Sequence, residues 1–381
     1  MPATLRAERR RTRGGNVAIG LGALLGVGLL SWLGLVMFAP HLLPSFLVPP
    51  TPPPSQYFAG ERISFVRTSG DGKRDLYVVN ADGTNQQQVT RDVIVDGSTT
   101  WSRDGRQIIM QAQLKGVSRV LRYTIGQDNK TTESVQLTAD IEADSVLPAW
   151  SPDNKLIAFQ TKRDGGDYQV FVMDSNGNGK RRLSDGKGYA GQPAWSPDGK
   201  NVIYVAGERS DPGVAKELFV VPASGGTPKQ ITSLGADLGR PAWSPDGKHL
   251  IYLQNRGDRN RTIFVANADG SSPRAIADMA ASFQPMISPD SSKLVYYSVS
   301  PSTGSDVFTI PITGGNPTNL TTQSAEDYVP AWSLDGKRLA WASRPGDNSR
   351  IVVANADGSE VKQVSHGEGA DHQPSWGAQV R

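Results

Sequence analysis

The sequence predicts an all-β fold: a seven-bladed β-propeller closed by joining its N- and C-terminal strands, preceded by one transmembrane α-helix. Three observations lead there. A tryptophan-centred motif recurs about every 45 residues, short β-branched and aromatic runs bounded by Gly, Asn, Asp and Pro fill the chain after residue 56, and one uncharged apolar stretch stands near the start.

Residues 1–15 form a basic segment. Arg6, Arg9, Arg10, Arg11 and Arg13 against Glu8 give it a charge of +4, so the rest of the chain sums to about −1 although the whole carries +3. That balance provides no clustered basic face to neutralise phosphates, and nucleic-acid binding is set aside. Cysteine is absent, which removes disulfides, thiolate metal sites, thiol nucleophiles and a lipidated cysteine anchor.

Residues 16–38 run without a charge, long enough for the ~20 helical residues that cross a hydrocarbon core. The arginines lie before this stretch and no Lys or Arg follows until Arg62, which places the N-terminus in the cytoplasm and all that follows on the outer side of the cytoplasmic membrane, periplasmic or extracellular. A cleaved signal peptide is the rival, but its apolar core runs only ~7–15 residues, and Met37-Phe38-Ala39 is a poor cleavage site. Ala18, Gly22 and Gly26 fall four apart, the small-residue spacing that lets two membrane helices approach, although glycine is also simply common in such helices.

Residues 39–56 read as a spacer. An apolar collar around Leu42, Leu43, Phe46 and Leu47 is followed by Pro49-Pro50-Thr51-Pro52-Pro53-Pro54, which can join neither helix nor sheet and extends as a semi-rigid polyproline segment.

Residues 57–381 carry the repeat. Pro193-Ala194-Trp195-Ser196-Pro197-Asp198-Gly199-Lys200 recurs as Pro241-Ala242-Trp243-Ser244-Pro245-Asp246-Gly247-Lys248, with weaker copies anchored at 101, 150, 287, 332 and 376. The spacing suits a four-stranded propeller blade of ~40–45 residues. Each unit is expected to contain an inner strand ending at the tryptophan, a tight turn, and three further strands. Proline presets φ, aspartate bonds its own downstream backbone and glycine accepts the left-handed conformation that returns the chain. The tryptophan is expected to pack between sheets.

A second hairpin signal, Asn-Ala-Asp-Gly, stands at 80–83, 267–270 and 355–358 between third and fourth strands. Its counterpart, Asp174-Ser175-Asn176-Gly177-Asn178-Gly179, matches the opening of an EF-hand calcium loop with Asp185 at the twelfth position, but register with its siblings makes it a hairpin. Residues 62–90 hold second, third and fourth strands without a motif strand, and 373–377 hold a motif strand with nothing after it. Joining them completes a seventh blade and removes free sheet edges.

The repeated Pro-x-Trp-Ser-Pro-Asp-Gly-Lys signature at 193–200 and 241–248 resembles that of the TolB-type propeller family, over about residues 57–381. The resemblance implies a propeller and is much less specific for function. The family's namesake has six blades and a separate α/β domain, whereas this sequence counts seven and begins with an apolar helix, so the namesake's partnership with a peptidoglycan-associated lipoprotein is not carried over. Similar propellers precede the hydrolase domain of prolyl oligopeptidase-like enzymes; the expectation here is that none follows, and the sequence contains no Gly-x-Ser-x-Gly elbow. Related propellers also act as histidine-rich metal-dependent lyases on uronic acid oligosaccharides. Only His249, His366 and His372 lie in this region.

Acids stand five or six residues before the anchor in five of the repeats: Asp96, Asp144, Asp237, Glu326 with Asp327, and Asp371. By the resemblance the inner strands line the channel, so these carboxylates are expected near one mouth, as a cation site or a dock for a basic peptide; the competing reading makes them ordinary loop acids and turn formers. No catalytic residue, resident metal or cofactor is assigned. The expected function is a membrane-anchored, non-enzymatic interaction or scaffold module serving membrane or envelope proteins, with a carbohydrate-active or other hydrolase or lyase at the channel mouth as the alternative.

Overall fold

Each repeat folds as an antiparallel sheet because its strands alternate apolar residues with turn residues at the spacing hairpins require. In the computed structural model, which describes residues 61–91, 93–163, 165–257, 260–280, 285–300, 304–322 and 325–377, every regular element is a strand. The basic segment, the apolar stretch at 16–38 with Ala18, Gly22 and Gly26, and the proline-rich spacer lie outside the described residues. Among the described residues no helix is long and apolar enough to cross a membrane. The fold is all-β and propeller-like.

One unit shows the plan: Tyr189–Trp195, Asn201–Gly207, Lys216–Pro222 and Lys229–Gln230 pair in chain order, each antiparallel to the last. Five sheets have this four-stranded form. A sixth, eight-stranded sheet consists of two such groups, the one just given and the one beginning at Asp237–Trp243, joined only through the parallel pair Lys216↔Asp237. Observed strands run a residue or more past the apolar runs that announce them. The apolar run Leu218-Phe219-Val220-Val221, one of the β-branched and aromatic runs of the sequence, lies within Lys216–Pro222 because the backbone ladder continues through flanks that hydropathy does not mark.

The two ends of the described chain meet in one sheet. Ala370–Gly377 pairs antiparallel with Arg62–Thr68, followed by Arg74–Asn80 and Gln87–Gln88. The apolar core lies between neighbouring sheets, not in a single centre. Val66, Leu76 and Val78 meet Trp101, Ile108 and Met110 of the next sheet, and Ala331, Ala340 and Ile351 of the last sheet meet Ile63, Phe65 and Trp376 of the first. Cross-strand aromatic pairs such as Phe65–Tyr77, Tyr204–Phe219 and Tyr252–Phe264, with ring centroids 5.5–5.8 Å apart, brace the second strand against the third.

Candidate functional site

The recurrent motif is consumed by its own turn. Ser196 Oγ donates to Asp198 Oδ1 (2.6 Å), Lys200 N donates to the same oxygen (3.0 Å), and Asn201 N donates to Ser196 Oγ (2.9 Å). The same three bonds recur from Ser102, Ser151, Ser244, Ser288 and Ser333. The serine bond, followed by the backbone amide, holds the Asp198 carboxyl below its ordinary value, and Asp246 is held down likewise.

The tryptophans pack between sheets and staple them. Trp101 Nε1 donates to Ser375 O, Trp195 to Ala149 O, Trp332 to Met286 O and Trp376 to Ala331 O, each acceptor being the residue before the preceding motif's anchor. A further device had no separate sequence reading. A Ser or Thr just beyond the fourth strand accepts from the backbone at the start of the third, as when Leu218 N donates to Thr232 Oγ1 (2.9 Å) and Ile351 N to Ser365 Oγ (2.8 Å). The recurring apolar-then-hydroxyl dipeptide, Ile231-Thr232 or Val364-Ser365, was its available signal. The EF-hand-like stretch forms a hairpin turn, with Asn176 N and Asn178 N both donating to Asp174 Oδ1 at 2.8 Å.

The six acids before the anchors are all engaged. Asp371, with a fully buried side chain, takes Arg67 Nε at 2.6 Å and Nη2 at 2.9 Å across the pair of terminal strands. Asp237 takes Lys216 Nζ (3.0 Å) and Gly213 N (2.9 Å) from the preceding four-strand group, Asp144 takes Ser118 N (2.9 Å), and Asp96 takes Arg74 Nη2 from the preceding sheet and Gln113 Nε2 (3.0 Å). Asp327 accepts from Trp341 Nε1 (2.9 Å); burial raises its carboxyl above the usual range. Glu326 pairs with the exposed Arg344. Arg67, Arg74, Lys216 and Arg344 thus offset four of the six charges, and the acids join strands and sheets to one another.

A separate cavity of about 480 Å³ is lined by the next residues along the inner strands, including Pro148, Pro193, Pro241, Pro285, Pro330 and Pro374. None of the six acids is among its described lining. The residue before the proline is left-handed in five strands: Leu147, Gln192, Arg240, Val329 and Gln373 have φ of 50–56°. A residue preceding proline ordinarily prefers extended backbone, and the register of these strands shifts at this point. Glutamine side chains satisfy the displaced amides from the preceding unit, as Gln192 N donates to Gln160 Oε1 (2.7 Å) and Arg240 N to Gln192 Oε1 (2.5 Å). Sequence reasoning passed over Arg240 because the motif begins one residue later.

Among the described residues no group of three or more His, Cys, Asp and Glu is placed to hold a metal ion. His372 Nδ1 lies 3.1 Å from Tyr328 Oη, while His366 N donates to Gln86 Oε1.

A family model for the TolB beta propeller domain matches residues 127–334, more than half of the chain. This chain belongs to that family. Over 123 residues it is 28% identical to the Tol-Pal system protein TolB of Desulfosudis oleivorans, covering 32% of this chain and 26% of that protein, so the chain spans about a quarter of this curated relative's length. Among solved structures, TolB from Acinetobacter baumannii aligns at a TM-score of 0.50 and 16% identity over 84% of this chain and 67% of that one. An oligogalacturonate lyase in complex with manganese aligns at 0.58 and 16% identity, over 81% and 86%. At such identity these two structures establish the fold alone.

Proposed function

We propose that this TolB-like propeller is a non-enzymatic protein-interaction module on the outer side of the cytoplasmic membrane, an accessory subunit of a membrane or envelope complex. Residues 16–38 anchor it in the bilayer with the N-terminus inside, and the spacer at 39–56 holds the propeller off the surface. The observation that carries this reading is the use of the repeated polar chemistry within the fold: serine and aspartate close turns, indoles bond carbonyls, and the acids join neighbouring strands and sheets. Such a scaffold presents its loops as the surface a partner meets. Family membership and the relative named for the Tol-Pal system support a periplasmic interaction role.

The full-length protein, cross-linked in its own membranes and purified through its anchor, is expected to carry one or a few membrane or envelope proteins at fixed stoichiometry. Recovery of the protein alone refutes the reading. The alternative of a hydrolase or lyase rests on the likeness to the oligogalacturonate lyase structure; turnover of oligogalacturonate or peptide substrates by the same preparation would establish it instead.

We also assign seven blades, the eight-stranded sheet being two blades joined through one residue pair and the terminal strands completing another. Truncation after His372 removes Trp376 and its bond to Ala331 O, and is expected to broaden unfolding. A single sharp transition in the truncated protein refutes that closure.

A further inference from the structure

The acids before the anchors have partners, but one cation at the cavity does not. Arg240 lies in its wall, held left-handed by the bulge before Pro241. Its backbone amide is satisfied by Gln192, yet among the described residues its guanidinium has neither a hydrogen-bond acceptor nor a carboxylate in ion-pair range, while the side chain keeps access to solvent. Surrounding protein desolvates the guanidinium, and the charge of Arg261 adds to the stress; together they press its pKa below the ordinary arginine value. The described lining of the cavity contains no Asp or Glu to relieve it.

We propose that this cavity is a binding site for a small organic carboxylate with an apolar body, its carboxylate received by Arg240 and its body lying against the proline-rich wall. The guanidinium fork matches a planar carboxylate through two parallel hydrogen bonds. The rest of the described wall combines prolines and indoles with the uncharged polar Thr99, Thr100, Gln111, Gln192, Gln373 and Ser375 and holds no second cation, which favours a singly charged ligand because a second charge would lack an ionic partner there. Trp332 and Trp376 also line the cavity, and both commit their Nε1 donors to backbone carbonyls, which leaves indole surface and not a donor for the ligand. The volume of about 480 Å³ falls within the ~300–1,000 Å³ typical of small-molecule sites. This inference is independent of the protein-interaction role: its failure leaves partner capture untouched.

The test is calorimetric titration of the full-length protein with 4-phenylbutyrate and with its uncharged analogue 4-phenylbutanamide, alongside Arg240→Gln and Arg240→Lys. Saturable binding of the acid is expected, with the amide and the Arg240→Gln variant each weaker by roughly 10-fold or more, the scale of a lost charge-assisted hydrogen bond, and Arg240→Lys between them. Without ligand, Arg240→Gln is expected to leave the melting temperature nearly unchanged, since an exposed side chain without a described partner has no fold contact to lose; an arginine serving only the fold would give a fall. Equal binding of acid and amide, undiminished binding to Arg240→Gln, or no saturable binding of the acid overturns the proposal. The acid-against-amide comparison uses the unmodified chain and stands whether or not the variants fold.

Discussion

Replacing Asp371 by Asn tests how the terminal strands are held together. In the folded protein the Asp371 carboxylate is fully buried and the Arg67 side chain is 8% exposed; two hydrogen bonds of 2.6 and 2.9 Å join them across paired strands. Desolvation works against the charged guanidinium, but the hydrogen bonds and charge of Asp371 more than offset it and hold Arg67 above its ordinary pKa. Asparagine keeps the shape but leaves the arginine uncompensated. Removing one partner of a buried pair costs about 3–5 kcal/mol, and the lower end applies here because the amide oxygen and His366 O (2.8 Å) still accept from Arg67. With a urea m-value of about 3 kcal/mol/M, a 3 kcal/mol loss lowers the midpoint by about 1 M. Urea titration of the purified protein, followed by tryptophan fluorescence, reads this shift. The Arg67→Met/Asp371→Leu double variant is expected to recover most of the loss, because exchanging a buried pair for apolar groups is often neutral. Arg344→Gln serves as the internal comparison: its pair with Glu326 is nearly half exposed on both sides, so less than about 1 kcal/mol is expected. A loss below about 1 kcal/mol for Asp371→Asn, or strict additivity in the double variant, refutes the reasoning.

Two other outcomes follow from the same structure. Ser196→Ala deletes both bonds of the turn hydroxyl and is expected to cost about 1–2 kcal/mol by chemical denaturation, with distant motif serines adding nearly independently; an unchanged midpoint would show the turn needs only its backbone. Glu61, buried beside Arg338, is raised to about 7, with desolvation the leading cause. Because its folded pKa exceeds its unfolded one, its stabilising contribution is complete below about pH 4.5 and is lost as pH rises through about 7. Glu61→Gln should therefore gain on the parent by about 1–3 kcal/mol between pH 5 and 8, and parallel pH profiles for the two proteins would contradict this.

The repeated turn was legible because its chemistry is local. Serine, aspartate and glycine within six residues determine a hairpin whatever surrounds them, and the broad indole at a fixed place before it calls for a neighbouring sheet. The period between copies then indicated a propeller, and the unmatched pieces at residues 62–90 and 373–377 anticipated the pairing of Ala370–Gly377 with Arg62–Thr68. Short strand edges were less legible, since Lys216 and Pro222 extend a strand by backbone pairing that side-chain pattern does not record.

Function depends on which partners the fold supplies. Asp371 and Arg67 lie 304 positions apart in sequence, and Lys216 reaches Asp237 only because one four-strand group abuts the next. No local pattern distinguishes a carboxylate awaiting a ligand from one already paired. Arg240 is the converse case. In sequence it is one arginine among many, and only the assembled inner strands put it in a cavity wall, exposed and without a described counter-charge. The sequence by itself determined the turns, the period and the fold class, because these rest on backbone preference and hydrophobic spacing. Tertiary structure decided which charges are spent and which remain available, because charge neutralisation depends on distances that only the packed sheets define.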